Sequence, residues 1–87
     1  MLNLTEAAGG YLNKVLEEAQ ASPETAVRLA VEGQGIASSL DTARPGDTTY
    51  NHEGRKVLLL DATASRVLAE RTLDVHPTDE GPRLGIL

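Results

Sequence analysis

A glycine turn between two apolar segments is the part of this sequence best suited to chemistry. Residues 31–40 read VEGQGIASSL, so Gly33 and Gly35 follow an apolar segment and precede small and apolar residues. Such a turn can bind a phosphate through backbone N–H groups, carry a metal ligand, or simply reverse the chain between two strands. The residue types in the turn, together with the helices and strands around it, help to distinguish these three possibilities.

The phosphate interpretation rests on the pattern Gly33-x-Gly35-x-x-Ser38, which is one residue short of the dinucleotide-binding fingerprint. That fingerprint needs a helix that begins at the turn, so that its first N–H groups face the pyrophosphate. The stretch from Gly35 to Pro45 is short, and its serines are poor helix formers. A phosphate-ligand binder at the Gly33–Gly35 turn is therefore kept only as a minor alternative.

The metal interpretation is limited by the ligands available. The chain contains no cysteine, which excludes disulfides, thiolate catalysis and any cysteine-based zinc or iron–sulfur site within it. The two imidazoles, His52 and His76, lack the i, i+3 or i, i+4 spacing of a local metal site. The acidic residues at predicted turns and strand edges are expected to be solvated: Asp47, Asp74, Asp79 and Glu80. We predict no metal ligand and no cofactor.

Catalytic constellations are equally sparse. Ser38, Ser39 and Ser65 become nucleophiles only if a histidine and an acid converge on one of them, and no G-x-S-x-G elbow exists. Asp41 and Asp47 lie across a predicted loop, but a carboxylate pair needs a shared cleft. With two aromatic residues the chain has little material for a deep apolar pocket. We predict no catalytic residue and a protein that is not an enzyme.

Length and charge define the class of protein. The 87 residues predict a single domain spanning residues 1–87, with a core of Leu, Val, Ile and Ala. The net charge of −5 and the scattered basic residues disfavour nucleic-acid and membrane-surface partners. No apolar run is long enough to span a bilayer, and the N-terminus lacks the features of a signal peptide. These observations predict a cytoplasmic protein with a protein partner or a homo-oligomeric state.

Hydrophobic periodicity predicts two helices and six strands. The helices cover residues 5–21, with Thr5 as N-cap, and 63–70, with Asp61 or Thr63 as N-cap. The predicted strands are 26–32, 36–40, 48–52, 55–60, 73–76 and 84–86. Alternation in the first strand predicts one exposed face carrying Arg28, whereas the continuous apolar run 57–60 predicts a strand covered on both sides. The order predicts an α+β fold, a small and mostly antiparallel β-sandwich-like core with one longer N-terminal helix and one short helix.

The order and spacing of these segments resemble the HesB/IscA-like family, the A-type iron–sulfur carriers. LTEAAGGYL resembles the opening helix of that family, and AVRLAVEGQG resembles its arginine-containing strand and glycine turn. GDTTYNHEGRKVLLLDATASRVL is similar to its hairpin, strand and short helix, and TLDV with RLGIL to its closing strands. The resemblance covers nearly the whole chain and implies a HesB-like fold.

The resemblance also implies three cysteine ligands, none of which is present. The family carries one cysteine directly after the glycine that Gly35 matches, where this chain has Ile36, and a Cys-x-Cys pair beyond the last strand, where this sequence ends at Leu87. Iron–sulfur clusters are held by thiolates. The sequence therefore resembles a degenerate member without cluster ligands of its own.

Our leading hypothesis is a non-enzymatic interaction or regulatory module. It would self-associate or bind a protein partner through a surface containing Gly33, Gly35, Ile36 and Leu87, since an exposed apolar residue beside a turn becomes favourable once it is covered. The alternative is an accessory protein in iron–sulfur cluster assembly that works with a cysteine-bearing partner.

Overall fold

The computed structural model describes residues 1–87, which form nine helices and strands. In chain order these are β1 (Asn3–Leu4), α1 (Glu6–Glu18), β2 (Thr25–Glu32), β3 (Gly35–Thr42), β4 (Thr48–His52), β5 (Arg55–Leu60), α2 (Ala62–Val67), β6 (Thr72–Thr78) and β7 (Gly81–Ile86). All eight predicted elements are present. The additional element, β1, has only two residues and so shows no periodicity in the sequence.

The strands form two sheets, ordered β1-β6-β7 and β3-β2-β5-β4. Three hairpins give the antiparallel pairs β2–β3, β4–β5 and β6–β7, and the pairs β1–β6 and β2–β5 are parallel. The predicted α+β fold is confirmed, with both sheets of mixed type. No helix in the structure is both long enough and apolar enough to cross a membrane.

Both helices begin at side-chain caps. The Thr5 hydroxyl accepts a hydrogen bond from the N–H of Ala8 at 3.1 Å and donates one to Asp74 at 2.8 Å. Asp61 caps α2 by accepting a hydrogen bond from the N–H of Ala64 at 2.8 Å, so Asp61 rather than Thr63 is the N-cap. Since Thr5 also contacts β6, this cap ties the start of α1 to the three-stranded sheet.

The core lies between α1, α2 and the two sheets. Residues 57–60 of β5 are all fully buried, as their continuous apolar run predicts. Val57, Leu58 and Leu60 pack with apolar side chains from both helices and both sheets: Leu2, Ala8, Leu12, Leu16, Val27, Leu29, Ala64, Leu68 and Leu73. Each buried aliphatic side chain contributes about 1.5–3 kcal/mol, so aliphatic packing replaces the missing aromatics.

The prediction that Arg28 lies on an exposed face of β2 is wrong. Its side chain is only 8% exposed, because Asp41 and Asp47 cover it. The Arg28 Nε donates to Asp41 at 2.9 Å, its two terminal nitrogens donate to Asp47 at 3.0 and 2.6 Å, and one of them also donates to the carbonyl of Thr42 at 3.2 Å. The Asp47 side chain is 5% exposed, so it is not the solvated turn residue that was expected.

This ion network fixes the connection between β3 and β4. Those strands lie at opposite edges of the four-stranded sheet, so residues 43–47 must pass β2 and β5 to join them. Arg28 holds both ends of that segment, Asp41 before it and Asp47 at its end, and the backbone N–H of Arg44 donates to Asp47 at 2.7 Å. The positive charge of Arg28 on β2 therefore fixes the path of residues 43–47 from β3 to β4.

Candidate interaction groove

The glycine turn is the tip of the β2–β3 hairpin. Glu32 pairs with Gly35, which leaves Gly33 and Gln34 as a two-residue turn. Gly33 has a φ of +58°, a backbone conformation that glycine adopts without steric cost, as the sequence predicts. Gly35 begins a strand rather than a helix, so the helix N-terminus that the phosphate hypothesis requires is not there.

Ile36 lies in β3, directly opposite Val31 of β2. Ile36 is 41% exposed and Leu40 is 48% exposed, and both project to the same side of the strand because they are four residues apart. Ile36 lies beside the turn at the start of a strand, as the sequence predicts. It is the first of two apolar side chains along one face of that edge strand.

Ile36 borders an open groove between the two sheets. A cavity of about 430 Å³ lies between β3 and β7, with Tyr11 of α1 and with Leu84 and Ile86 of β7 in its wall. A second cavity of about 270 Å³ continues it along β3 to Leu40. The two share Tyr11, Ser38 and Leu84, so we treat them as one surface, the β3–β7 groove.

Both strands that flank the groove are sheet edges. β3 pairs only with β2, and β7 pairs only with β6. Natural edge strands usually carry lysine, proline or a bulge that prevents pairing with another chain. The sequence of β3, GIASSLDT, has no basic residue and no proline, and its register with β2 is uninterrupted. Its one charged residue, Asp41, is neutralised by Arg28 and Arg44.

The structure brings three of the four predicted site residues together. Gly33, Gly35 and Ile36 share the hairpin, and Ile36 meets the C-terminal strand in the groove wall. Leu87 is 70% exposed and does not line the groove; its backbone N–H donates to the carbonyl of Thr72 at 2.8 Å. Sequence reasoning missed Tyr11, although its place beside the apolar stripe of α1 was a usable signal.

Three of the candidate catalytic groups, Asp41, Asp47 and Ser65, are engaged in hydrogen bonds with other side chains. The N–H of Thr42, followed by Arg28, lowers the pKa of Asp41 below its ordinary value, and the hydrogen bonds from Arg28 lower the pKa of Asp47. Both carboxylates are therefore held ionised as partners of Arg28. Ser65 donates a hydrogen bond to the hydroxyl of Thr48 at 3.1 Å.

Each histidine packs against a glycine. A Cβ on Gly9 would lie 2.8 Å from Cγ of His52, and a Cβ on Gly85 would lie 2.9 Å from Cε1 of His76. The close approach of the His52 side chain therefore explains the glycine at position 9 in the interior of α1. The His52 side chain is only 14% exposed, although it lies beside the β4–β5 turn.

No protein-family profile matches the chain, and no curated protein sequence is significantly similar to it. Solved structures do match. SufA from Escherichia coli, involved in biosynthesis of iron–sulfur clusters, matches with a TM-score of 0.73 at 23% identity, over 99% of this chain and 83% of SufA. IscA with a [2Fe–2S] cluster matches with a TM-score of 0.69 at 17% identity, over 100% of this chain and 84% of IscA.

A protein from Aquifex aeolicus, determined in solution by NMR, gives a TM-score of 0.73 at 22% identity, over 99% of this chain and 89% of that protein. Identities this low establish the fold alone. This chain therefore has the fold of SufA and IscA, which confirms the HesB/IscA-like fold expected from the sequence.

Proposed function

We propose that this protein is a non-enzymatic interaction module that pairs with a second copy of itself through β3 and the adjoining β3–β7 groove. The observation that carries the proposal is an eight-residue edge strand with no basic residue and with two exposed apolar side chains facing a groove whose wall is mainly apolar, apart from Ser38 and Arg83. Such an edge offers backbone hydrogen bonds to another strand and an apolar face to its side chains.

The sequence of β3 favours a second copy as the partner. Ile36 and Leu40 are placed symmetrically about Ser38. An antiparallel pairing centred on Ser38 would set Ile36 of each copy opposite Leu40 of the other, and it would extend the four-stranded sheet into one sheet of eight strands. This is the self-complementary contact that a two-fold dimer requires.

Charge does not oppose this contact locally. Each copy carries a net charge of −5, which disfavours association at low ionic strength. Along β3, however, the only charge is Asp41, which is already paired with Arg28 and Arg44. The repulsion therefore arises from distant charges, and salt screens it within about 10 Å at 0.1 M ionic strength. We expect the dimer to strengthen as salt is added.

The area available predicts a weak dimer. Roughly half of each Ile36 and Leu40 side chain remains to be buried, so the four side chains of a dimer contribute about 3–6 kcal/mol. Association itself costs about 4–15 kcal/mol, so the strand–strand hydrogen bonds must supply both the rest of that cost and the net free energy of binding. We therefore expect dissociation in the micromolar range or weaker.

Sedimentation equilibrium tests the proposal at concentrations up to several hundred micromolar. We expect a concentration-dependent mass that rises from 9.2 kDa toward twice that value. Ile36→Asp should weaken the dimer at least tenfold, because it puts a charge into each of two symmetry-related apolar contacts. Val67→Asp is the matched control: Val67 is 50% exposed on α2 and does not line the groove.

A monomer throughout that concentration range would overturn the proposal, as would equal effects of the two aspartate variants. Hydrogen exchange gives an independent measurement. The outward-facing N–H groups of β3 should exchange quickly in dilute protein and become protected as the dimer forms. If the outward-facing N–H groups of β3 still exchange quickly in concentrated protein, the interface lies elsewhere.

A second candidate function is an accessory role in iron–sulfur cluster assembly with a cysteine-bearing partner. It is supported by the fold shared with SufA and IscA over essentially the whole of this chain. A related chain could pair with β3 in place of the second copy. Anaerobic reconstitution of this protein with SufA should then yield a mixed complex that absorbs visible light, and a colourless, iron-free fraction of this chain would refute the accessory role.

A further inference from the structure

His52 occupies a fixed position against α1. It ends β4, and its ring lies over Gly9, whose absent side chain leaves the space that Nδ1 and Cγ occupy. Its Nε2 lies 4.0 Å from where a Cβ on Gly10 would be. With a side chain only 14% exposed and packed on two glycines, the imidazole has little freedom to rotate.

Two carboxylates approach this imidazole from different elements. Glu6 stands in the first turn of α1, and Glu53 stands in the β4–β5 turn with a φ of +51°. One ligand atom from each of Glu6, His52 and Glu53 lies within 4.8 Å of the other two. The distance from His52 Nε2 to a carboxylate oxygen of Glu53 is 4.0 Å.

The three side chains converge, but they do not form hydrogen bonds with one another. A distance of 4.0 Å exceeds the 2.7–3.2 Å range of an N–H···O hydrogen bond, and the structure contains no hydrogen bond from His52 to either glutamate. The arrangement is thus not a closed network of hydrogen bonds. A rigid nitrogen donor stands between two exposed carboxylates that are free to move.

We propose that Glu6, His52 and Glu53 bind a divalent first-row transition-metal ion such as Zn²⁺. Bonds of about 2.0–2.2 Å to such an ion place ligand atoms about 3.0–3.6 Å apart, so each glutamate must move by roughly 1–2 Å, which side-chain rotation allows. One imidazole with two carboxylates suits zinc and its neighbours, whereas calcium and magnesium prefer oxygen ligands alone. Water would complete the coordination.

No local pattern in the sequence indicates this site, because its ligands come from two distant segments. Glu6 belongs to the N-terminal helix, and the other two ligands belong to the hairpin that packs on it. A bound ion would join the start of α1 to that hairpin. The hairpin is at the β4 edge of the sheet, opposite the β3 edge that carries the proposed dimer contact.

Calorimetric titration of the intact protein with Zn²⁺ tests the proposal, with Co²⁺ absorption as a second probe. We expect one ion per chain. Glu6→Gln and Glu53→Gln should each weaken binding at least tenfold without affecting the fold, because both side chains are exposed. His76→Gln is the matched control, since it removes the only other imidazole, and its affinity should equal that of the wild type.

His52→Gln should abolish binding, and circular dichroism would show whether that variant folds. If it does not, the NMR shifts of the His52 ring in the wild-type protein report the same contact, since they should move on addition of Zn²⁺ while those of His76 stay. No binding at millimolar Zn²⁺, wild-type affinity in both glutamine variants, or loss of binding in His76→Gln would overturn the proposal. None of these results alters the sedimentation test of the β3 dimer.

Discussion

Replacing Asp47 with alanine should be among the most damaging single changes in this protein. The Asp47 carboxylate receives three hydrogen bonds: two from Arg28, at 3.0 and 2.6 Å, and one from the backbone N–H of Arg44, at 2.7 Å. Its removal leaves one terminal nitrogen of Arg28 without a partner in a side chain that is 8% exposed. Breaking a buried ion pair from one side costs about 3–5 kcal/mol, because the remaining charge stays desolvated.

That cost is large relative to the total stability. A domain of 87 residues has a free energy of unfolding of roughly 4–13 kcal/mol. Since each kcal/mol shifts the melting temperature of a domain this size by about 4–8 °C, Asp47→Ala should lower it by at least about 12 °C. Asp79→Ala is the control, because Asp79 is an exposed turn residue outside any ion pair of the structure. Thermal and urea unfolding followed by circular dichroism measure both.

A second substitution tests the cause. If the loss arises from an uncompensated buried charge, adding Arg28→Met to Asp47→Ala should recover part of it, because the apolar side chain needs no partner. A loss below about 1 kcal/mol in Asp47→Ala, or a double variant less stable than the single one, would show that the buried Arg28 charge does not hold the β3–β4 connection in place.

Two further predictions concern acid and the glycine pair of α1. The hydrogen bonds from Arg28 lower the pKa of Asp47 below its unfolded value, so their stabilisation is complete above pH about 4 and is lost as the pH falls through the folded pKa. Below about pH 4, the unfolding free energy should therefore depend less steeply on pH in Asp47→Ala than in the wild type. Equal slopes would contradict this prediction. Gly9→Ala should destabilise the protein by about 1–3 kcal/mol, because its Cβ would collide with His52. Gly10→Ala should instead stabilise α1 by about 0.5–1 kcal/mol, because its Cβ would lie 4.0 Å from Nε2 of His52. Denaturant unfolding measures both variants, and a stabilising Gly9→Ala would show that the contact with His52 is absent.

The sequence predicted elements well where local signals were strong. The bounds of β4 and β5 agree with the structure because Glu53 and Gly54 mark a two-residue turn between two β-rich segments. β6 and β7 are longer than predicted, because Pro77 and Pro82 face each other within the ladder instead of lying in a loop. Proline is tolerated at those positions since neither needs to donate a ladder hydrogen bond.

The parts that the sequence did not reveal depend on contacts between distant residues. Arg28 follows the alternation of a half-exposed strand, and the ion pairs that cover its side chain come from Asp41 of β3 and from Asp47, which follows that strand. The β3–β7 groove likewise depends on contacts that the sequence does not reveal. Ile36 and the closing strand could be named from the sequence, but the sheet packing that sets Tyr11 between them could not.

The sequence contains no cysteine, yet it has the fold of SufA and IscA. The residue after Gly35 is apolar and 41% exposed, and the groove beside it offers aliphatic walls where a cluster would need thiolates. An apolar wall next to an unprotected strand edge is the feature on which the proposed self-association rests. The carboxylate–imidazole donors lie at the opposite edge of the same sheet, so metal binding and self-association would use separate surfaces of one small domain. Zn²⁺ should therefore leave the dimer mass unchanged, and Ile36→Asp should leave Zn²⁺ affinity unchanged; coupling in either experiment would show that the two edges move together.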